Sequence, residues 1–377
     1  MRSKNEYIPV YEPYLAGNEE RYLNECIKTG WISSKGRFVD LFENSFANYI
    51  GSPYALSTSN GTVALHLALV TIGINKGDEV IVPDLTFAAS VNSILYTGAV
   101  PVLVDCDLGT LNIDVKKIEE KITPKTKAIM LVHLYGLPSF IDEIQKIAEK
   151  YNLIIIEDAA EAFGSEYKNK KVGTFGRVAC FSFFGNKTIT TGEGGMITFN
   201  NEKDYKKAKI LRDHGMNPEK TYWHDFIGYN YRMTNLQASI GCAQIEKADK
   251  IIETKIKNAN LYKSLLKNIP GLTFVKEFED LKNTFWLVTL IIDEEKFGCD
   301  RNTVKDLLRE NKIDSRPIFY PIHQMPPYEK HSIGEFPNSK YASKNGLSLP
   351  SSVSLSQEKI IYICNCLIDL HNKINNK

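Results

Sequence analysis

Lys187 stands in ACFSFFGNKTITTGEGGMITF (179–199), just past an apolar run and among Gly185, Gly192, Gly194 and Gly195. Glycines at this density let a backbone wind closely around a ligand. A lysine partly withdrawn from water there loses proton affinity and becomes an amine that can attack a carbonyl carbon. A glycine-rich hairpin with a surface lysine is the bland alternative, and the length and regularity of the segment speak against it. Ser182, in the same stretch, offers a hydroxyl to a phosphate. Upstream, IIIEDAAEAFG (154–164) closes an apolar run with Glu157 and Asp158. At the carboxyl end of a strand, Asp158 can face a cationic ring nitrogen and keep it protonated by charge pairing. Two solvated acids capping the next helix would give the same wording. Glu161 is close enough in sequence to reach the same ligand.

Two further segments belong with these. In SNGTVALHLAL (59–69), Gly61 and Thr62 open a helix, where free backbone N–H groups and the positive end of the helix dipole suit a phosphate. An ordinary turn before a capped helix reads the same way. GYNYRMTNLQASIG (228–241) gathers Asn230, Arg232 and Asn235 in a short loop before a helix, and such a loop either caps the helix or binds a ligand.

The elements that must hold these residues follow from periodicity. EVIVP (79–83), PVLVD (101–105), AIMLVH (128–133), LIIIED (153–158), ACFSF (179–183) and GMITF (195–199) read as strands. Helical patterns near 89–97, 114–121 and 140–150 alternate with the first of them. Continuous apolar strands separated by helices indicate an α/β fold with a largely parallel sheet covered on both faces. Phe38, Leu41, Phe42, Phe46 and Tyr49 fall at helical spacing in 36–50. A long periodic stretch after MTN (233–235), running to about Asn268, reads as a helix that links two domains and carries possible breaks. The C-terminal part carries a strand, FWLVTLIID (285–293), and helices near 302–310 and 357–373.

The bulk numbers bound the possibilities. A chain of 377 residues fits two domains, divided as 1–250 and 251–377, and 43% hydrophobic with 24% charged residues is a globular composition. A formal net charge of +1 gives no basic field for nucleic acid or anionic lipid. The seven cysteines form no CxxC pair and no zinc-ligand cluster, so no metal site is expected, and reduced thiols in the cytoplasm are. The N-terminal MRSKNEYIPVYEP lacks an apolar signal core, and no uncharged run approaches membrane-spanning length. A dinucleotide oxidoreductase is disfavoured because no G-x-G-x-x-G follows the first strand.

Taken together, these motifs and IPVYEPYL (8–15), GWISSKG (30–36) and FYPIHQMPPY (319–328) resemble the DegT/DnrJ/EryC1/StrS sugar aminotransferases over nearly the whole chain. That family is a branch of the fold-type I enzymes that use pyridoxal 5'-phosphate. The resemblance implies that Lys187 forms the Schiff base with the cofactor and that Asp158 pairs with its ring nitrogen. It places Glu161 beside the ring hydroxyl, Phe87 of DLTFAAS stacked on the ring, and Gly61, Thr62 and Ser182 on the phosphate. It gives Asn230 a phosphate contact supplied to a neighbouring subunit, and so implies a homodimer with shared active sites. Tyr320 and His323 would approach the sugar, and Trp31 and Lys35 are further candidates for contacts to base and sugar. One branch of the family, a dehydratase, has histidine in place of the lysine, so Lys187 favours transamination. The wording FSFFGNKTITTGEGG and WISSKG resembles the branch that aminates GDP-4-keto-6-deoxymannose with glutamate, for O-antigen lipopolysaccharide. A dTDP- or UDP-linked keto-sugar stays open, as does a non-catalytic protein on the same fold, which the retained Lys187 and Asp158 disfavour.

Overall fold

A computed structural model describes residues 7–375. The first six residues of the N-terminal stretch discussed above lie outside it. The centre is a seven-stranded sheet built from β1 (Tyr54–Thr58), β2 (Glu79–Pro83), β3 (Val100–Val104), β4 (Thr126–Val132), β5 (Ile154–Asp158), β6 (Val178–Ser182) and β7 (Gly195–Phe199). Their spatial order is β1-β7-β6-β5-β4-β2-β3. The strands from β6 to β3 pair in parallel, and β7 runs antiparallel to both β6 and β1.

Both faces of the sheet are covered, which is why its strands are apolar along their length. Alternate residues part to opposite sides. Val80, Val82, Met130 and Ile156 meet the helix Gly61–Ile72 and the helix Ala88–Tyr96 in one core. Ile81, Ile129 and Ile155 meet Ile141 and Ile144 of the helix Ile141–Tyr151 in another. Phe42 and Phe46 of the helix Arg37–Ile50 pack on Phe181 and Phe183, with Phe46 to Phe181 at 4.9 Å between ring centroids. Leu41, read as part of that apolar stripe, is 40% exposed at its edge.

The C-terminal part holds a four-stranded antiparallel sheet in the order Leu272–Phe274, Val288–Ile292, Gly346–Leu349, Arg316–Pro317. The helices Ala248–Leu266, Arg301–Glu310 and Gln357–Asn375 enclose its core, which Ile8 joins from the N-terminal segment. The division at residue 250 falls just inside the helix Ala248–Leu266. Among the described residues no helix is long and apolar enough to cross a membrane.

Several elements differ from the periodicity. The helix expected near 114–121 is two 3-10 turns, Val115–Lys117 and Glu119–Lys121, with Pro124 soon after restricting any extension. The long helix after 235 is two helices, Asn235–Ile245 and Ala248–Leu266, the first opened by a capping box between Thr234 and Gln237. The strand expected over 285–293 begins only at Val288, because Phe285 has a φ of 49° and leaves the extended region. β1 lies outside the run of strands read from the sequence. It is an edge strand paired only with β7.

Candidate active site

The carboxyl ends of the parallel strands open onto a cleft of about 680 Å³, walled on its other side by the C-terminal part. This is where an open α/β sheet binds ligands. Among the sequence-derived candidates, Gly61, Thr62, Phe87, Asp158, Glu161, Ser182 and Lys187 all line it.

Strand alternation separates the two acids that end β5. Glu157 points away from the cleft, fully buried. It accepts hydrogen bonds from Gly173, Phe175 and Gly176 N–H at 2.8, 2.8 and 2.7 Å, and from His133 Nε2 at 3.2 Å. Ser139 N–H donates to His133 Nδ1, which puts the imidazole proton on Nε2, facing Glu157. Burial raises the Glu157 pKa, but His133 and the glycine N–H groups outweigh it and hold the acid ionised, below its ordinary range. Asp158 points into the cleft. Its Oδ2 accepts from Ser90 Oγ at 2.7 Å and its Oδ1 from Ala160 N–H at 3.1 Å. Here burial wins, and the Asp158 pKa is raised in spite of Ser90, Ala160 and Lys187.

Lys187 ends the turn that follows β6. Its Nζ lies 3.4 Å from Glu161 Oε1 and 3.8 Å from the ring centroid of Trp286. Glu161 is raised by burial, partly offset by Lys187, and its Oε2 accepts Tyr135 N–H at 2.9 Å. The turn itself is gripped from behind: Trp286 Nε1 donates to Asn186 O and Tyr11 Oη to Lys187 O, each at 2.6 Å.

At the far end of the cleft, Asn60 caps the helix Gly61–Ile72 by accepting Val63 N–H at 3.0 Å. The N–H groups of Gly61 and Thr62, first in that helix, have no acceptor within it. A β-carbon on Gly61 would lie 2.8 Å from Ser182 Cβ, so only glycine lets the helix start and the end of β6 close into one cradle. Phe87 caps the helix Ala88–Tyr96, is 58% exposed, and presents its ring in the cleft wall 5.6 Å from Phe319.

The remaining candidates do not line the cleft of this chain. Asn230 is exposed and bonds Arg232, at the end of a loop whose Tyr222, Trp223, Phe226 and Ile227 are 87, 51, 51 and 94% exposed. Trp31 and Lys35 are exposed, their loop tied to the 233–235 segment by Asn235 Nδ2 bonding Trp31 O at 2.7 Å. Tyr320 is 64% exposed beside Phe319. The His323 imidazole is buried, bonded to Asp84 Oδ2 at 2.7 Å and stacked on Phe336. Sequence reasoning missed Ser90, Tyr135, Trp286 and Arg316. Ser90 was within reach, in the first turn of a helix that follows a strand end. Trp286 and Arg316 come from the C-terminal part, and no motif connects them to Lys187. Arg316 and Lys187 are the cations in the lining.

Residues 13–368 match the DegT/DnrJ/EryC1/StrS aminotransferase family. The chain is 50% identical to the GDP-perosamine synthase of Escherichia coli O157:H7 over 372 residues, 97% of this chain and 99% of that one. It is 46% identical to the GDP-perosamine synthase of Vibrio cholerae, covering 97% and 100%. Among solved structures it resembles Helicobacter pylori PseC, an aminotransferase of pseudoaminic acid biosynthesis, with a TM-score of 0.93, 26% identity and coverage of 98% and 100%. The sugar aminotransferase Spr1654 of Streptococcus pneumoniae in its PLP form gives 0.92 at 26% identity, covering 98% and 100%.

Proposed function

The chain belongs to the DegT/DnrJ/EryC1/StrS aminotransferase family and is a pyridoxal 5'-phosphate enzyme, and from that premise we propose that it moves the amino group of glutamate to C4 of GDP-4-keto-6-deoxymannose, giving GDP-perosamine. The observation that carries the amino transfer is the juxtaposition of Lys187 with two burial-raised acids, Asp158 and Glu161, at one end of a cleft whose other end is a phosphate cradle; the GDP sugar is supported by the likeness to the GDP-perosamine synthases.

These residues fit the cofactor. A carboxylate that burial has raised, and whose hydrogen bonds come from the uncharged Ser90 hydroxyl and Ala160 N–H, suits a ring nitrogen that arrives protonated. When bound, pyridoxal 5'-phosphate supplies an aldehyde carbon that links to amines and a ring that takes up the electron pair left by a broken C–H bond. Asp158 would keep a proton on the ring nitrogen, and Ser90 and Ala160 fix its carboxylate. Glu161 and Phe87 would hold the ring, and Gly61, Thr62 and Ser182 the phosphate. Lys187 Nζ would carry the proton from the donor's Cα to the cofactor's aldehyde-derived carbon in the first half-reaction, and from that carbon to sugar C4 in the second. Arg316 gives the anionic substrates a positive charge across the cleft from Lys187.

The functional unit is a homodimer with shared sites. The exposed apolar loop Tyr222–Ile227 is a surface that a second copy would cover, and it leads directly to Asn230, which then reaches the partner's phosphate. Trp31, Lys35, Tyr320 and His323 are assigned to base and sugar by the family likeness. A cytoplasmic place suits seven free cysteines.

The test follows the two half-reactions in one cuvette. Glutamate should bleach the visible band of the lysine-bound cofactor, and GDP-4-keto-6-deoxymannose should restore it. Restoration by the dTDP-linked counterpart alone would move the substrate to a different nucleotide. A cofactor-saturated protein that shows no such band would overturn the reading.

A further inference from the structure

We propose that Lys255, which lies outside the cleft, is a positioning residue for the Lys187 turn; the proposal rests on the role of Lys187 given above. The helix Ala248–Leu266 carries Lys255 on its buried side, where it is 2% exposed. Its Nζ donates to Ser351 O at 2.8 Å and to Trp286 O at 3.2 Å, and lies 5.0 Å from the ring centroid of Tyr11. No carboxylate pairs with it among the described residues, and burial alone lowers its pKa to about 7. An ammonium without a counter-ion is an expensive way to fill a core position that methionine would fill by packing. What distinguishes this place is what its neighbours do.

Two of the three groups around Lys255 are the two that grip the Lys187 turn. Trp286 reaches Asn186 O with its indole N–H and lies under Lys187 Nζ with its ring. Tyr11 reaches Lys187 O with its hydroxyl. Lys255 fastens the first through its backbone carbonyl and faces the ring of the second. Trp286 is also tied on its amide side, where its N–H donates to Tyr135 O at 3.0 Å. Successive carbonyls of the turn are therefore held by the side chains of two residues, Trp286 and Tyr11, that one buried nitrogen touches, at the backbone carbonyl of the first and the ring of the second. Pre-set placement of that kind governs rate, because small displacements of a reacting group slow the chemical step strongly.

Lys255→Met keeps the length and removes the donors. In cofactor-free protein we expect amide hydrogen exchange over 184–188 to quicken on the order of tenfold, since the turn opens locally more often. In loaded enzyme the maximal rate of the glutamate half-reaction should fall on the order of tenfold while the glutamate concentration that half-saturates it stays within about twofold, the mark of lost positioning rather than lost binding. Lys255→Arg should recover part of both. A folded Lys255→Met protein with unchanged exchange at the turn overturns the proposal. Should that variant not fold, Tyr11→Phe deletes one oxygen from the clamp, and unchanged exchange there overturns it equally. Failure of the Lys187 role shows elsewhere, as full turnover by Lys187→Ala.

Discussion

The floor of the cleft and its rim are made differently. On the floor, Asp158, Glu161 and Lys187 are buried or nearly so, each with named partners in the same chain. On the rim, Asn230, Trp31, Lys35 and Tyr320 are exposed and stand apart from the cleft. Side chains at strand ends are fixed by partners in their own chain, whereas those on the outlying loops are left open, as suits groups that meet something from outside.

The contrast breaks most sharply at Lys187. Lys187→Ala should lower single-turnover transamination by on the order of 10³-fold or more, and borohydride should no longer lock the cofactor to the protein. Near-normal turnover would remove Lys187 from the floor. Asp158→Asn should leave the melting temperature close to that of the parent and cost on the order of 10²-fold in rate, because the ring proton is no longer held by a charge. An unchanged rate would take Asp158 out of the mechanism. The rim is probed by co-expressing Lys187→Ala with Asn230→Ala. If sites are shared, a mixed dimer contains one site with both defects and one with neither, and activity returns above that of either variant. No recovery in verified mixed dimers would place Asn230 outside the partner's site. Arg316→Gln should raise KM for an anionic substrate about tenfold with little change in kcat, as loss of one charge-assisted contact does; KM values unchanged from the parent for both substrates would leave Arg316 without a role.

The smallest effect concerns the support beneath the floor. Lys255 has a folded pKa of about 7, well under the ordinary lysine value, so the unfolded chain binds more protons there above neutral pH. Stability from this group is therefore lowest where the amine is charged in both states and rises as pH climbs above 7, by up to about 1.4 kcal/mol per pH unit. Chemical denaturation at pH 7 and 8.5 should show that climb in the parent and its loss in Lys255→Met. Parallel curves would mean that folding leaves the Lys255 pKa at its ordinary value.

Much of the floor was legible in the sequence, because strand ends and glycine-rich turns are local patterns. EVIVP gave β2 to the residue, and the segments around Asp158 and Lys187 converge on one cleft. What stayed hidden depends on contacts between distant segments. Trp286 enters the site because the left-handed Phe285 and Tyr135 turn two loops against each other, and nothing near position 286 announces that. Arg316 is one cation among many until the short strand Arg316–Pro317, paired to Gly346–Leu349, brings it into the cleft lining. Asn230 stood out in a polar loop before a helix, but the other rim candidates came from family likeness alone, since loops follow no period. The edge strand β1 was obscured because its run is short and ends in the Ser-Thr-Ser that leads into the helix cap.

The alternation at the end of β5 also sets how this gene can change length. Inserting or deleting one residue between Ile154 and Asp158 would turn the wrong acid toward the cleft and leave the other without the N–H groups that hold it. One codon would then remove both the cleft carboxylate and a buried anion held by backbone N–H groups. The stretch from Asn217 to Ile227, exposed almost throughout, has no such register to keep. Length variation among working relatives should therefore gather in that loop and be absent from the strand.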